Sequence, residues 1–185
     1  MIRIAPLTYR GDRLEPLARW QHGEWAHLHP DYTPERRMTE YRLAFGHARL
    51  PMMLVASVGD RPIGLARLIE HDVDTQLALT PRLASLYLRP EHRRQGVGSA
   101  LLQRLVHETR RRGFPFVYLF TQQEAAFFAR RGGTALMREQ YRGAMVTAMG
   151  LALVSDNLCA RIGRSLSSNI EEVNRERLER TPKLV

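Results

Sequence analysis

The sequence is poor in cysteine, in lysine and in long apolar stretches. Cys159 is the only cysteine among 185 residues, which excludes an intrachain disulfide and a thiolate zinc cluster. We interpret Cys159 as a small buried hydrophobe, because no histidine lies near it in sequence. No apolar run approaches the roughly 20 residues that span a bilayer, and the first residues alternate in polarity instead of forming a secretory signal. These absences predict a cytoplasmic protein with no membrane partner.

Arginine, by contrast, is abundant. Lys183 is the only lysine, and 28 basic residues against 19 acidic ones give a formal net charge of +9. A nucleic-acid-binding module usually carries a basic stripe interleaved with aromatic residues, whereas these arginines are spread along the whole chain. We therefore expect no nucleic-acid partner and keep salt-dependent DNA binding only as an alternative. The positive surface should attract anionic ligands.

The predicted elements follow the order strand, two helices, three strands, helix, strand, helix and two strands. Met52–Val58 and Ile63–Ile69 read as the strands of a hairpin. Leu83–Leu88 and Phe116–Phe120 are two further strands, and the amphipathic helix that begins at Val97 connects them. A strand–helix–strand crossover within a hairpin-rich sheet predicts an α/β (α+β) fold, with a mixed central sheet of about seven strands and helices on both faces.

The composition changes near Val154. Beyond this residue Ser, Asn, Glu and Arg dominate, and Ser168–Glu171 reads as a capping box that opens a helix. Too few apolar positions follow for this tail to fold alone. We therefore expect one domain over residues 1–153 and a C-terminal helical extension over residues 154–185. The extension would pack on the domain or on a second copy, which would make a homodimer.

A glycine-containing loop is the sharpest signal in the sequence. The run Arg93-Arg94-Gln95-Gly96-Val97-Gly98-Ser99 lies between a predicted strand and the amphipathic helix. Two glycines let the backbone turn tightly, and the first amides of a helix point outward, so such a loop binds a pyrophosphate. The third glycine of the common dinucleotide fingerprint is missing. A turn with no ligand is the alternative for the loop taken alone.

Two motifs together resemble one family. Leu86–Leu102 is similar to the acyl-coenzyme A signature of the GCN5-related N-acetyltransferases (GNAT family), in which Arg/Gln-x-x-Gly-x-Gly/Ala follows the fourth strand. Ala125–Gly132 resembles the family's second motif, and the element order is also the family's. The resemblance covers about Met1–Leu153. It implies an N-acetyltransferase domain that transfers an acetyl group from acetyl-CoA to a primary amine of a small molecule or peptide.

The resemblance also implies which residues hold acetyl-CoA. In the family the fourth and fifth strands splay apart, and the pantetheine arm lies between them. One main-chain amide at or near Leu86 would stabilise the thioester oxygen as it gains charge. We expect three groups of residues to bind the cofactor. They are Leu86, Tyr87 and Leu88 on the fourth strand; Arg93, Arg94, Gln95, Gly96, Val97, Gly98 and Ser99 in the pyrophosphate loop; and Thr121 and Phe128 at the positions of the family's usual asparagine and tyrosine.

The family's usual catalytic acid is missing, because Phe128 stands where many members have a tyrosine. The fourth strand also lacks a carboxylate or histidine. Glu70, His71 and Asp72, at the end of the third strand, are the nearest titratable cluster. Glu70 is the candidate base, acting through a water, with a solvated hairpin end as the alternative. Tyr141 is the candidate acid or substrate contact, and Tyr118 is a second candidate with an ordinary strand position as its alternative. The absent tyrosine keeps a catalytically weak acyl-CoA sensor as the alternative function.

The resemblance also implies that the first two helices and the last hairpin determine the acceptor. An α-amine has a pKa of about 7.7 to 8.0 and a lysine side chain one of about 10.4, so the α-amine is neutral far more often at pH 7. An active site without a base on the fourth strand therefore favours an α-amine. Because no carboxylates stand at ligand spacing from the histidines of the first helices, we predict no metal. Several aromatic and histidine side chains are candidate contacts to the acceptor, namely Trp20, Trp25, Tyr32, Tyr41, His22, His27 and His29. The alternative is core packing for the tryptophans and solvent exposure for the histidines.

Overall fold

The computed structural model describes residues 1–7, 11–29, 32–43, 49–71, 76 and 78–153. Cys159 and the predicted extension over residues 154–185 lie outside them. The element order confirms the predicted one. The helices and strands are β1 (Ile2–Pro6), α1 (Gly11–Trp25), α2 (Pro34–Leu43), β2 (Met52–Val58), β3 (Arg61–Ile69), β4 (Arg82–Leu88), α3 (Val97–Arg111), β5 (Phe116–Thr121), α4 (Ala125–Ala129), β6 (Gly133–Tyr141) and β7 (Ala144–Ala152).

The strands form one seven-stranded sheet in the order β1-β2-β3-β4-β5-β7-β6. β4 and β5 pair in parallel, and every other neighbouring pair is antiparallel. This mixed sheet confirms the predicted fold, since the parallel pair of neighbouring strands, β4 and β5, is joined by a crossover through α3. None of the described helices is long and apolar enough to cross a membrane.

Alternation along β2 shows how the sheet acquires helices on both faces. Met53 and Val55 pack with the buried residues of α1, whereas Leu54 and Ala56 pack with the buried face of α3. Successive side chains of a strand point to opposite faces, so α1 and α3 cover opposite sides of the sheet. β2 is buried on both sides, which explains its nearly continuous apolar sequence.

The middle of the sheet is open at one place. β4 and β5 share a single register pair, Arg82 with Tyr118, and the Tyr118 amide donates to the carbonyl of Pro81 over 2.9 Å. The two strands therefore part beyond Arg82. The Arg82 side chain is fully buried and its Nε donates to the carbonyl of Leu79 over 2.7 Å, while its guanidinium lies 4.8 Å from the ring centroid of Phe120. A buried guanidinium thus anchors the point from which the strands diverge.

The end of α3 carries a cluster of charges. The side chain of Glu108 is 8% exposed and lies 2.7 Å from Arg112, 2.9 Å from Arg104 and 3.8 Å from Arg111. Burial alone would raise the pKa of Glu108. The hydrogen bond from Arg112 and the charges of the arginines outweigh burial and hold the pKa below its usual value.

We expect Glu108→Gln to lower the free energy of unfolding by about 1 kcal/mol at pH 7. Because the folded pKa of Glu108 lies below the unfolded value of about 4.3, this contribution is present above that value. It is lost as the pH falls through the folded pKa. Urea denaturation of wild type and variant from pH 3 to pH 7 measures the difference at each pH.

Glu15→Gln is the matched control, because Glu15 pairs with Arg19 over 2.8 Å with both side chains more than half exposed. An exposed pair contributes little, so this variant should remain close to wild type at every pH. A difference between Glu108→Gln and wild type that does not change with pH would contradict a role for the ionised carboxylate.

Candidate active site

A cleft lies between β4 and β5 beyond their single pair. Leu86, Tyr87 and Leu88 are half-buried on this part of β4. Leu86 and Leu88 pack on the α3 side of the sheet, whereas the Tyr87 ring packs on the other side. The edge of β4 facing β5 has no further register pair among the described residues. An extended ligand can therefore pair with the β4 main chain there, as in strand addition.

Arg93 already uses one of these main-chain groups. Its Nε donates to the Leu88 carbonyl over 2.9 Å, and its Nη2 lies 3.5 Å from Glu24 Oε2. Arg94 and Gln95 are exposed, and Gln95 donates to the carbonyl of Glu91 over 2.9 Å. The cationic side chains of the loop thus stand at its surface, where they can meet an anionic ligand.

Gly96 forms the bend at the start of α3. Its φ is +80°, a conformation that suits glycine, and a Cβ built there would meet no atom within 4 Å. The side chain of Val97, the first helical residue, is buried in the core, so only its main chain is available to a ligand. An exposed left-handed turn followed by unpartnered first-turn amides fits a diphosphate.

The second glycine of the loop has a different role. A Cβ on Gly98 would lie 3.4 Å from Leu88 Cδ1 and 3.8 Å from Phe127 Cζ. A larger side chain would compete with the packing of α3 on β4 and α4. Gly98 is therefore constrained by the fold itself, and Gly96 is the cleaner probe of ligand binding.

Arg131 reaches the same helix end and was missed by sequence reasoning. Its Nε donates to Ser99 Oγ over 3.1 Å, its Nη1 donates to the carbonyl of Phe127 over 2.8 Å, and its guanidinium lies 3.8 Å from the Phe127 ring centroid. The bond to Ser99 joins residues 32 apart in sequence. It places an additional positive charge beside the amides of the first turn of α3.

Thr121 and Phe128 lie at the far side of the cleft. Thr121 ends β5, and its Oγ1 accepts a hydrogen bond from the Glu124 amide over 3.0 Å, just before α4. Phe128 is 6% exposed, belongs to the α3-side core and meets Phe127 edge to face at 5.1 Å. The Phe128 ring therefore fills the core under the cleft, and it carries no proton donor.

A second cavity of about 520 Å³ lies on the α1 and α2 side of the sheet. Glu70, at the end of β3, is in its wall together with His71, while Asp72 of the predicted cluster lies outside the described residues. The cavity is lined by His29, Tyr32, Arg37, Glu40, Leu50, Pro51, Arg67, Ile69, Glu70 and His71.

The register of β3 and β4 places Glu70 at a distance from the expected thioester position. Leu86 pairs with Ala66, whereas Ile69 pairs with Arg82 at the start of β4. Glu70 is four positions beyond Ala66, which corresponds to about 13 Å along the strand. A single water cannot bridge this distance, so Glu70 can act on an amine near Leu86 only through a chain of waters.

The two tyrosine candidates lie in different surroundings. Tyr141 ends β6, is 6% exposed and has its ring 6.2 Å from that of His29, a residue of the cavity wall. Tyr118 is 5% exposed and packs with Phe116 and Leu79, and its burial raises its pKa. Tyr141 is thus next to the cavity, and Tyr118 occupies an ordinary buried strand position.

The predicted aromatic wall is divided among three places. Tyr32 lines the cavity, whereas the rings of Trp20 and Trp25 lie 5.8 Å and 6.3 Å from that of Tyr87. Tyr41 is fully buried, and burial raises its pKa to about 12. Its position in the core excludes it as a surface contact.

Polar side chains link the first helix to β4, and no sequence pattern indicated them. The hydroxyl of Tyr41 donates to Gln21 Oε1, and Gln21 Nε2 donates to Ser85 Oγ. All three side chains are buried. Buried polar groups need such partners, so this chain of hydrogen bonds fixes α1 and α2 on the strand that faces the cleft.

The histidines of the first helices take part in separate contacts. His22 Nδ1 lies 2.7 Å from the carbonyl of Tyr32, and His27 Nε2 lies 3.4 Å from Gln122 Oε1. Across the described ranges, no group of three or more His, Cys, Asp or Glu side chains could hold a metal ion.

A network of charged side chains between α2 and β3 was also not predicted from the sequence. Arg37 Nη1 and Arg67 Nη2 each donate to Glu40 Oε2 over 3.2 Å. Arg37 and Glu40 belong to α2, and Arg67 belongs to β3. Since Arg67 is 27 residues from Glu40 in sequence, only the tertiary structure brings the network together in the cavity wall.

Known proteins share the sequence features and the fold of this chain. The model of the acetyltransferase (GNAT) family matches residues 14–133, and no curated protein sequence matches the chain. The structure is similar to the aminoglycoside 6′-N-acetyltransferase from Enterococcus faecium, with a TM-score of 0.64 at 14% identity over 83% of this chain and 98% of that one.

Two structures from Thermoplasma species have similar scores. The PaiA N-acetyltransferase from Thermoplasma acidophilum, solved in complex with coenzyme A, has a TM-score of 0.62 at 19% identity over 82% of this chain and 99% of that one. Ard1 from Thermoplasma volcanium has a TM-score of 0.64 at 16% identity over 83% and 99% of the two chains. At these identities the similarity shows a shared fold.

We expect Gly96→Asn to weaken coenzyme A binding at least tenfold. Asparagine tolerates the left-handed conformation of Gly96 better than most residues, so the added side chain obstructs the loop with little backbone strain. Isothermal titration calorimetry with coenzyme A measures the affinity.

Gly113→Asn is the matched control, because Gly113 follows the other end of α3 with a φ of +81° and similar open space around its Cβ position. Both variants should lose similar, small amounts of stability, and Gly113→Asn should bind coenzyme A like wild type. Equal affinities for all three proteins would exclude the Gly96 loop as the diphosphate site.

Proposed function

The chain belongs to the acetyltransferase (GNAT) family, and we propose that it transfers an acetyl group from acetyl-CoA to a primary amine of a small molecule or peptide. The parting of β4 and β5 beyond Arg82 is the observation that carries this proposal. It leaves an unpaired strand edge that leads to the exposed turn at Gly96, so a long ligand with an extended arm and a diphosphate fits both ends. Residues 1–153 would form the catalytic domain.

Acetyl-CoA supplies an acetyl group activated as a thioester. The main chain of β4 around Leu86 would hold the arm and offer an amide to the thioester oxygen. The Gly96–Ser99 turn would bind the diphosphate, with Arg93 and Arg131 adding positive charge nearby. Thr121 and Phe128 would border the arm from β5 and α4.

The cavity beside β3 is the proposed acceptor site. The amine nitrogen must be neutral to attack the carbonyl carbon. The new C–N bond forms as the C–S bond breaks, so the nitrogen loses one proton and the sulfur gains one. Glu70 in the cavity wall would accept the amine proton through a chain of waters, and Tyr141, next to His29, would donate a proton to the thiolate or position the amine. Proton exchange with solvent would then return Glu70 and Tyr141 to their starting states.

One observation favours the alternative of an acyl-CoA sensor with weak or no turnover. Phe128 stands where the family resemblance leads us to expect a tyrosine, and its ring is buried in the core. A sensor would bind acetyl-CoA without transferring the acetyl group. Turnover therefore separates the two functions.

We expect acetyl-CoA-dependent release of coenzyme A thiol in the presence of a suitable amine, followed by a thiol-reactive dye. Peptides with an unblocked N-terminus should have a higher kcat/KM than N-blocked peptides with an internal lysine, because an α-amine is neutral far more often at pH 7. Binding of acetyl-CoA with no thiol release across peptides, amino acids and polyamines would support the sensor instead. Faster reaction of the blocked lysine peptides would contradict the α-amine preference.

We expect Tyr141→Phe to lower kcat about 100-fold if its hydroxyl supplies the proton. Tyr118→Phe removes the hydroxyl of a tyrosine that is as buried as Tyr141 and serves as the control, with a rate close to wild type. Steady-state kinetics and thermal melting of both variants separate catalysis from stability. A wild-type rate for Tyr141→Phe would remove this residue from the mechanism and leave water as the donor.

A further inference from the structure

Two arginines in the wall of the 520 Å³ cavity keep unsatisfied hydrogen-bond donors. Arg37 is 5% exposed and Arg67 is 6% exposed. Nε of Arg37 and Nη1 of Arg67 are buried and have no hydrogen-bond partner in the described part of the chain. A buried donor without an acceptor is costly. Both arginines line the cavity, so a ligand that entered it with an acceptor group, and to which these side chains adjusted, would remove this cost.

The charges of the network also leave room for an anion. Glu40 is the carboxylate that pairs with both guanidinium groups, and both bonds go to its Oε2. Among the described residues, two positive charges therefore face one negative charge in this part of the cavity wall. Buried charges need compensation. Glu70 does not provide it within this network, since it is exposed and has no ion pair with Arg37 or Arg67.

The guanidinium groups are held in place before any ligand arrives. Arg37 lies 4.2 Å from the ring centroid of Tyr32, and Arg67 lies 5.3 Å from that of Tyr41. Together with their bonds to Glu40, these contacts fix the side chains. Fixed guanidinium groups lose little conformational entropy on binding and suit the planar, two-oxygen geometry of a carboxylate.

The cavity is also next to the expected point of reaction. Arg67 pairs with Ser85 across β3 and β4, and Ser85 precedes Leu86. An acceptor bound by the two arginines therefore lies one strand away from the place where the β4 edge opens to the cleft. A single small molecule can span this distance with an anionic group at one end and an amine at the other.

We propose that Arg37 and Arg67 bind a carboxylate of the acceptor, so that the substrates are amines that also carry a carboxylate. This proposal rests on the proposed acetyl transfer. A free amino acid and a peptide with an acidic first residue share this chemistry. The acetylated nitrogen would belong to the same molecule as the carboxylate held by the arginines.

Matched acceptors test the proposal on the wild-type protein. Several free amino acids are each compared with their own carboxamide, and a peptide with an N-terminal aspartate is compared with the same peptide beginning with asparagine. We expect kcat/KM to be about 10- to 100-fold higher for the acid of the preferred pair, the range for a hydrogen bond to a charged group. The amine of the carboxamide is the less basic one of each pair, so more of it is neutral at pH 7. A difference in amine basicity would therefore favour the amide, not the acid. The pair with the larger ratio identifies the source of the carboxylate.

Arg37→Gln and Arg67→Gln should bring the ratio of acid to amide close to one. They should do so by raising KM for the acid much more than KM for the amide. Arg36→Gln is the control. Arg36 is exposed and lies 4.2 Å from the ring centroid of the same Tyr32, but it does not itself line the cavity. Its replacement removes one arginine charge from the neighbourhood and leaves both cavity arginines in place. Its ratio should equal that of wild type, and thermal melting shows whether each variant is folded.

The outcomes separate the two proposals. Equal kcat/KM for acids and amides in wild type would overturn the carboxylate site while leaving acetyl transfer established. If no amine is acetylated, the proposed function fails, and calorimetric titration of acid and amide into the coenzyme A-saturated protein decides the carboxylate site by itself. Tighter binding of the acid, lost in Arg67→Gln, would support the site, and equal binding would overturn it.

Discussion

The proposed binding of the acyl donor depends on the fact that β4 and β5 share a single register pair. Arg82 and Tyr118 form this pair, and the buried Arg82 side chain fixes it through the carbonyl of Leu79. Beyond this point β5 pairs fully with β7 and β4 pairs with β3, so each strand keeps one satisfied edge and turns the other toward the cleft. Parallel neighbours that part inside a sheet leave main-chain groups in need of a partner. The bound arm of an acyl donor would provide it.

Local pattern was sufficient to predict the fold. An apolar run rich in β-forming residues predicted β2 with its observed bounds, and the amphipathic spacing after Gly96 predicted the start of α3 at Val97. The position of Gly96 at the exposed bend also followed from its sequence context. These features depend on neighbouring residues, and local propensity and periodicity record them directly.

The polar parts of the candidate site could not be predicted in the same way. Arg67 meets Glu40, and Arg131 meets Ser99, because packing brings distant elements together. An arginine on an apolar strand looks like a solvent-facing residue until its partner is known. The same holds for Gln21, whose helical position gives no sign of its bond to Ser85 on β4. Pairing of buried polar groups depends on tertiary contacts, and a single sequence does not contain that information.

The two regions of the proposed active site are built from separate residues. The cleft uses β4, the Gly96 turn and α4, whereas the cavity uses α2, the end of β3 and the segment around Tyr32. No residue that lines the cavity belongs to the expected cofactor-binding set. Mutations in the cavity can therefore accumulate under selection for a new acceptor while the machinery for acetyl-CoA remains intact. This separation makes the scaffold evolvable, and it also makes the cavity wall a suitable target for combinatorial libraries.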